Sequence, residues 1–149
     1  CFLSIALLQP AFAEPPALPE IPGWQNGACK IVGLDTVSGN HGFWIERSYR
    51  TADGGAFKAT WMGGKGPKFL YPPTLGLMSD DGPIGAGATY ETCSIAGNLA
   101  ILETHPTLGH SLSLLLPDGV LTLESDVYGM EKEQIMKAAE TLAMQIKLR

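Results

Sequence analysis

The sequence predicts an α+β domain: an antiparallel sheet of about seven strands with one amphipathic C-terminal helix packed across it. Three patterns carry this expectation. Polar and apolar residues alternate with period two in a series of short runs, as strands with one buried face require. Short turn signals containing glycine, asparagine or proline separate those runs. Beyond residue 130 the period lengthens to that of a helix, and Ile135, Ala139, Leu142 and Ile146 fall on one stripe.

The elements follow in order. The segment 14–23 contains Pro15, Pro16, Pro19 and Pro22, which remove backbone donors and fix φ, so it reads as a Pro-rich extended arm ahead of a single domain at 24–149. Ala28 to Leu34 reads as a strand with Cys29 and Ile31 on one face. In His41 to Arg50, Phe43, Ile45, Arg47 and Tyr49 alternate with Trp44, Glu46, Ser48 and Arg50. Asp53-Gly54-Gly55 turns the chain into a second strand carrying Phe57, Ala59 and Trp61, completing a hairpin. Gly63 to Gly87 is rich in glycine and proline yet carries Phe69, Leu70, Tyr71, Leu75, Leu77 and Met78. It reads as a long functional connection that packs down on the domain, with a short helical turn near Leu75 to Met78. From Ala88 to Glu124 four strands form a meander. Its turns are Gly97-Asn98, Pro106 to Gly109 and Pro117-Asp118-Gly119. The helix covers roughly Glu131 to Leu148, with Glu131 and Glu133 at its positive end and Lys147 and Arg149 at its negative end.

The N-terminal residues suggest an address. Phe2 to Phe12 is mostly apolar and ends in Ala11-Phe12-Ala13, which has small side chains where a signal peptidase requires them. Residues 1–13 therefore read as a secretory signal peptide lacking its basic n-region, cut after Ala13. The expected location is periplasmic or secreted. The apolar run is shorter than the roughly 20 residues a membrane span needs, so no transmembrane anchor is expected. In an oxidising compartment Cys29 and Cys93 would form a structural disulfide, with two free buried thiols as the alternative.

Net charge is −5, which excludes the overall basic field of a nucleic-acid binder. The stretch His41 to Leu70 is locally basic, holding Arg47, Arg50, Lys58, Lys65 and Lys68 against Glu46 and Asp53. With Trp44, these five cations form the candidate binding face, suited to an envelope protein or a small apolar or anionic ligand. The other reading of Trp44 is a second small core beneath the long connection.

No residue reads as catalytic, cofactor-binding or metal-ligating. His105 and His110 flank one turn but lack a third ligand at useful spacing. Gly63-Gly64-Lys65-Gly66 lacks the phosphate-loop spacing, and Pro67 stands where helix N–H groups would be needed. No G-x-S-x-G nucleophile elbow is present.

The ending "VLTLESD" followed by "EKEQIMKAAETLAMQI" resembles that of Mog1/PsbP-like domains and of exported domains of uncharacterised function. In these an antiparallel meander leads into a helix lying on the sheet. The resemblance covers Ala88 to Ile146 and implies an adaptor or assembly module, with no functional residue carried over. The expected function is thus an exported, non-catalytic interaction module. The alternative is a carrier holding a small molecule or lipid between sheet, helix and connection.

Overall fold

The computed structural model describes residues 17–63, 77–80, 87–125 and 129–147. Among the described residues nine strands form one antiparallel sheet: β1 (Gln25–Asn26), β2 (Lys30–Thr36), β3 (Gly39–Arg50), β4 (Ala56–Gly63), β5 (Leu77–Asp80), β6 (Ala88–Ile95), β7 (Asn98–His105), β8 (Gly109–Leu116) and β9 (Gly119–Ser125). The spatial order is β1-β3-β4-β9-β8-β7-β6-β5, and β2 pairs β3 beside β1. β1 and β2 are two pieces of one edge strand, interrupted at Gly27 to Cys29, so the sheet is eight positions wide. The predicted α+β class is what the chain adopts. The meander β6–β9 runs in sequence order, and β9 returns to pair β4 and join the two halves into one sheet.

Alternation decides which face is buried. Ile45, Tyr49, Phe57, Ala59, Ala100, Leu102, Leu112, Leu114, Leu121 and Leu123 are buried and point to the same face. The helix α1 (Lys132–Lys147) lies across that face and buries Ile135, Ala138, Ala139, Leu142 and Ala143 in the same core. Three alanines on its buried stripe bring the helix axis close to the sheet, where the leucines of β8 and β9 fill the space between turns. A reciprocal cap starts the helix. The Glu131 carbonyl accepts from the N–H groups of Gln134 and Ile135, and the Gln134 side chain returns to the Glu131 N–H at 3.1 Å. Lys132 Nζ then pairs with Glu91 on β6, tying the helix start to the far side of the sheet. The hydrogen bond from Lys132 to Glu91 raises the ammonium's pKa.

Local details differ from the sequence reading. The β6–β7 turn is Ala96-Gly97, with φ of 50° and 79°, and Asn98 opens β7. Both central residues take positive φ, the geometry that matches the twist of paired strands. Leu77–Asp80 is a strand paired with β6, so Leu77 and Met78 are extended rather than a helical turn. Most of the Gly63 to Gly87 connection, Lys65 and Lys68 included, lies outside the described residues, as does the segment 1–13 read as a signal peptide.

The expected Cys29–Cys93 disulfide is not formed, and both thiols are free. Cys29 lies on the β1/β2 edge and Cys93 on β6, six strand spacings away. That is roughly 29 Å at the spacing of paired strands, far beyond the reach of a disulfide. Burial, followed by the charge of Glu91, pushes the Cys93 thiol upward and keeps it protonated. Among the described residues no helix is long and apolar enough to cross a membrane.

The Pro-rich arm is part of the fold from Ala17 onward. Leu18 and Ile21 are buried against the helix-bearing face. Trp24 meets Phe57 edge-on at 5.4 Å, and Phe57 stacks on Tyr49 at 4.9 Å. The Tyr49 hydroxyl donates to the Pro19 carbonyl at 2.7 Å. Arg47 spans the interruption in the edge strand. It donates from Nε to Gly27 O at 2.8 Å, from Nη1 to Leu18 O at 2.8 Å, and from Nη2 to Glu20 at 3.1 Å.

Candidate functional site

The strands that bury one face toward α1 present the other outward, and register orders it into rows across the sheet. In the first row Val32 stands opposite Trp44, Trp44 opposite Met62, Met62 opposite Val120 and Val120 opposite Leu115. Five neighbouring positions are therefore apolar on the face away from α1. Val120, in the row's middle, is buried at 5 % exposure, whereas Val32 and Leu115 toward its ends are 37 % and 39 % exposed. Among the described residues no helix or strand packs over this row.

The second row is mainly polar: Lys30, Glu46, Thr60, Thr122, Ser113, Ile101 and Thr92. The third is charged: Ser48, Lys58, Glu124, Ser111, Glu103 and Tyr90. Lys58 lies 3.8 Å from Glu46 and 3.6 Å from Glu124. Lys30 Nζ sits 5.5 Å from the Trp44 ring centre, a cation–π contact between the first two rows. The face thus grades from apolar at the β8–β9 turn to charged at the β3–β4 turn. At the charged end a cleft of about 510 Å³ is lined by Gln25, Ser48, Arg50, Ala56, Lys58 and Glu124, among others.

The residues expected to form one binding face divide between the two sides of the sheet. Trp44, Arg50 and Lys58 share the face away from α1. Arg47 lies on the opposite face, and its guanidinium is consumed by the arm. Lys58 is held between two carboxylates, and Arg50 is exposed beside it. A continuous five-cation patch therefore does not assemble among the described residues. Met62, Val120 and Leu115 join Trp44 instead. Their alternation was visible in sequence, but their adjacency depends on the non-local β4·β9 pairing.

The histidines are held locally. His41 Nε2 lies 2.7 Å from Ser38 Oγ, and His110 Nδ1 lies 3.1 Å from Thr104 Oγ1. His105 Nδ1 accepts from the N–H groups of Thr107 and Leu108. His105 pairs with Gly109 and His110 with Thr104, so strand alternation puts the two rings on opposite faces. Among the described residues no three His, Cys, Asp or Glu side chains gather as a metal site would require.

No protein-family model, no curated protein and no solved structure matches this chain.

Proposed function

We propose that the chain is an exported, non-catalytic interaction module whose working surface is the sheet face turned away from α1. The observation that supports this most directly is the apolar row Val32–Trp44–Met62–Val120–Leu115, which lies across five paired strands with both end residues more than one third exposed. A rigid sheet presenting an apolar band beside a charged band suits recognition of a protein surface. The apolar band supplies area removed from water, and the charges set orientation. The apolar N-terminal run ending at Ala11-Phe12-Ala13 supports export. The carrier alternative draws less support, because Ala138, Ala139, Leu142 and Ala143 are packed directly against the sheet where an apolar ligand would have to sit.

The test is a comparison of variants in the native compartment. Met62→Glu with Leu115→Glu places charge in the row, and Lys137→Glu with Glu140→Lys alters the exposed face of α1. The proposal expects partners retained by wild type and by the helix variant to be lost from the sheet variant, while both variants melt like wild type. Equal retention by the sheet variant would refute it.

A further inference from the structure

Among the described residues β2 bonds only to β3, so its outer edge is unpaired. Alternate residues along such an edge point their N–H and C=O groups outward, a ready template for another strand. Natural edges are commonly blunted by a bulge, a proline or charged side chains, and the charges of β2 are Lys30 and Asp35 toward its two ends. Here the irregularity in the β2·β3 pair lies on β3, where two residues, His41 and Gly42, stand opposite Leu34. Gly42 carries the positive φ of 135° there. β2 keeps a regular pleat and contains no proline. Ile31 and Val32, on its two faces, are 39 % and 37 % exposed. Val32 is also the end of the apolar row.

We propose that β2 pairs antiparallel with β2 of a second copy of this chain, about a two-fold axis through Val32. A two-fold axis normal to a sheet keeps each face on its own side. Directly opposed residues must then be an even number of positions apart, a condition met by a residue facing itself. With Val32 facing Val32 of the partner subunit, the two apolar rows join into one band across both sheets. Lys30 then faces Leu34 of the partner subunit, and Ile31 faces Gly33 of the partner subunit, so no like charges are opposed. In this register a second copy continues the apolar row at matching height, and that continuity selects it as the occupant. The pairing uses up both β2 edges, so the assembly closes at two copies. The dimer shares Val32 with the proposed working face but rests on the unpaired β2 edge, so a monomer would overturn it without bearing on the Met62 and Leu115 test of the face.

Sedimentation velocity into the millimolar range tests this with wild type, Val32→Lys and Ile31→Lys. Both positions are exposed, and an unchanged thermal melt confirms that each variant folds. The wild type should show a concentration-dependent dimer, and Val32→Lys should weaken it at least about tenfold by setting two ammonium groups face to face. A Val32→Cys variant carrying Cys29→Ser and Cys93→Ser should oxidise to a covalent dimer linked at position 32. A monomer at every concentration, a dimer indifferent to both lysines, or species larger than a dimer would overturn the proposal.

Discussion

Arg47 donates through Nη1 to the carbonyl of Leu18 at 2.8 Å, so a residue in the middle of β3 holds the N-terminal arm on the sheet. The same guanidinium closes the gap in the edge strand through Gly27 and meets Glu20. Its side chain is only 12 % exposed. Reversing its charge would leave two backbone carbonyls without their donor and set a carboxylate beside them. Arg47→Glu should therefore cost about 2–4 kcal/mol in urea denaturation. Arg50→Glu, on the opposite and exposed face, should stay within roughly 0.5 kcal/mol of wild type. Equal losses would contradict the assignment of the two arginines to different sides.

Tyr49 provides a pH test of the same arm. Burial holds its phenol proton well above the ordinary tyrosine range. A folded-state pKa above the unfolded value means that the unfolded chain releases the proton first. The stabilisation is complete below the unfolded value and fades as pH rises past it toward the folded one. Wild type should thus lose stability above about pH 10 more steeply than Tyr49→Phe. At neutral pH Tyr49→Phe should cost about 1 kcal/mol, the hydroxyl's bond to Pro19. Parallel stability curves above pH 10 would exclude this residue as their source.

At Gly119 β9 runs close against β4. A Cβ built there would collide with the Met62 carbonyl oxygen and lie 2.8 Å from Gly63 Cα, both backbone atoms that cannot swing aside. Gly119→Ala should destabilise by about 3 kcal/mol. Gly97, whose added Cβ meets nothing within 4 Å, has its own constraint in a φ of 79°. Gly97→Asn should cost less than Gly119→Ala, because asparagine tolerates positive φ.

The thiols give a fourth test. Mass spectrometry after alkylation of the denatured, unreduced protein should show Cys29 and Cys93 both labelled. Reductant should leave the melting temperature unchanged. A melting temperature lowered by reductant would mean the chain adopts a different sheet order from the one described.

Much of this fold is readable from the chain because its information is local. β6 to β9 alternate cleanly, and short turns connect them. α1 carries its own stripe, with Gln134 spaced to cap the Glu131 N–H through its side chain. The failures are non-local. Cys93 reads correctly as a strand residue and Cys29 falls in the gap just before β2, yet their separation depends on a sheet order set by the β4·β9 pairing. Arg47 read as a surface cation, although it alternates in step with the buried Ile45 and Tyr49. Its partners are backbone carbonyls of Leu18 and Gly27, which leave no side-chain signature. Asn98 read as a turn residue, but Ala96 occupies that place with a positive φ that alanine seldom adopts. The apolar row was hidden for the same reason as the sheet order, since Trp44, Met62, Val120 and Leu115 become neighbours only when the N-terminal and C-terminal strands pair.

The most direct test of the central claim is photo-crosslinking in the native compartment, with a photoreactive residue placed at Met62 on β4 or at Thr141 on α1. The face away from α1 should yield a discrete adduct from Met62, at a mass other than that of a second copy, and none from Thr141. Adducts from Thr141 with none from Met62 would contradict the claim.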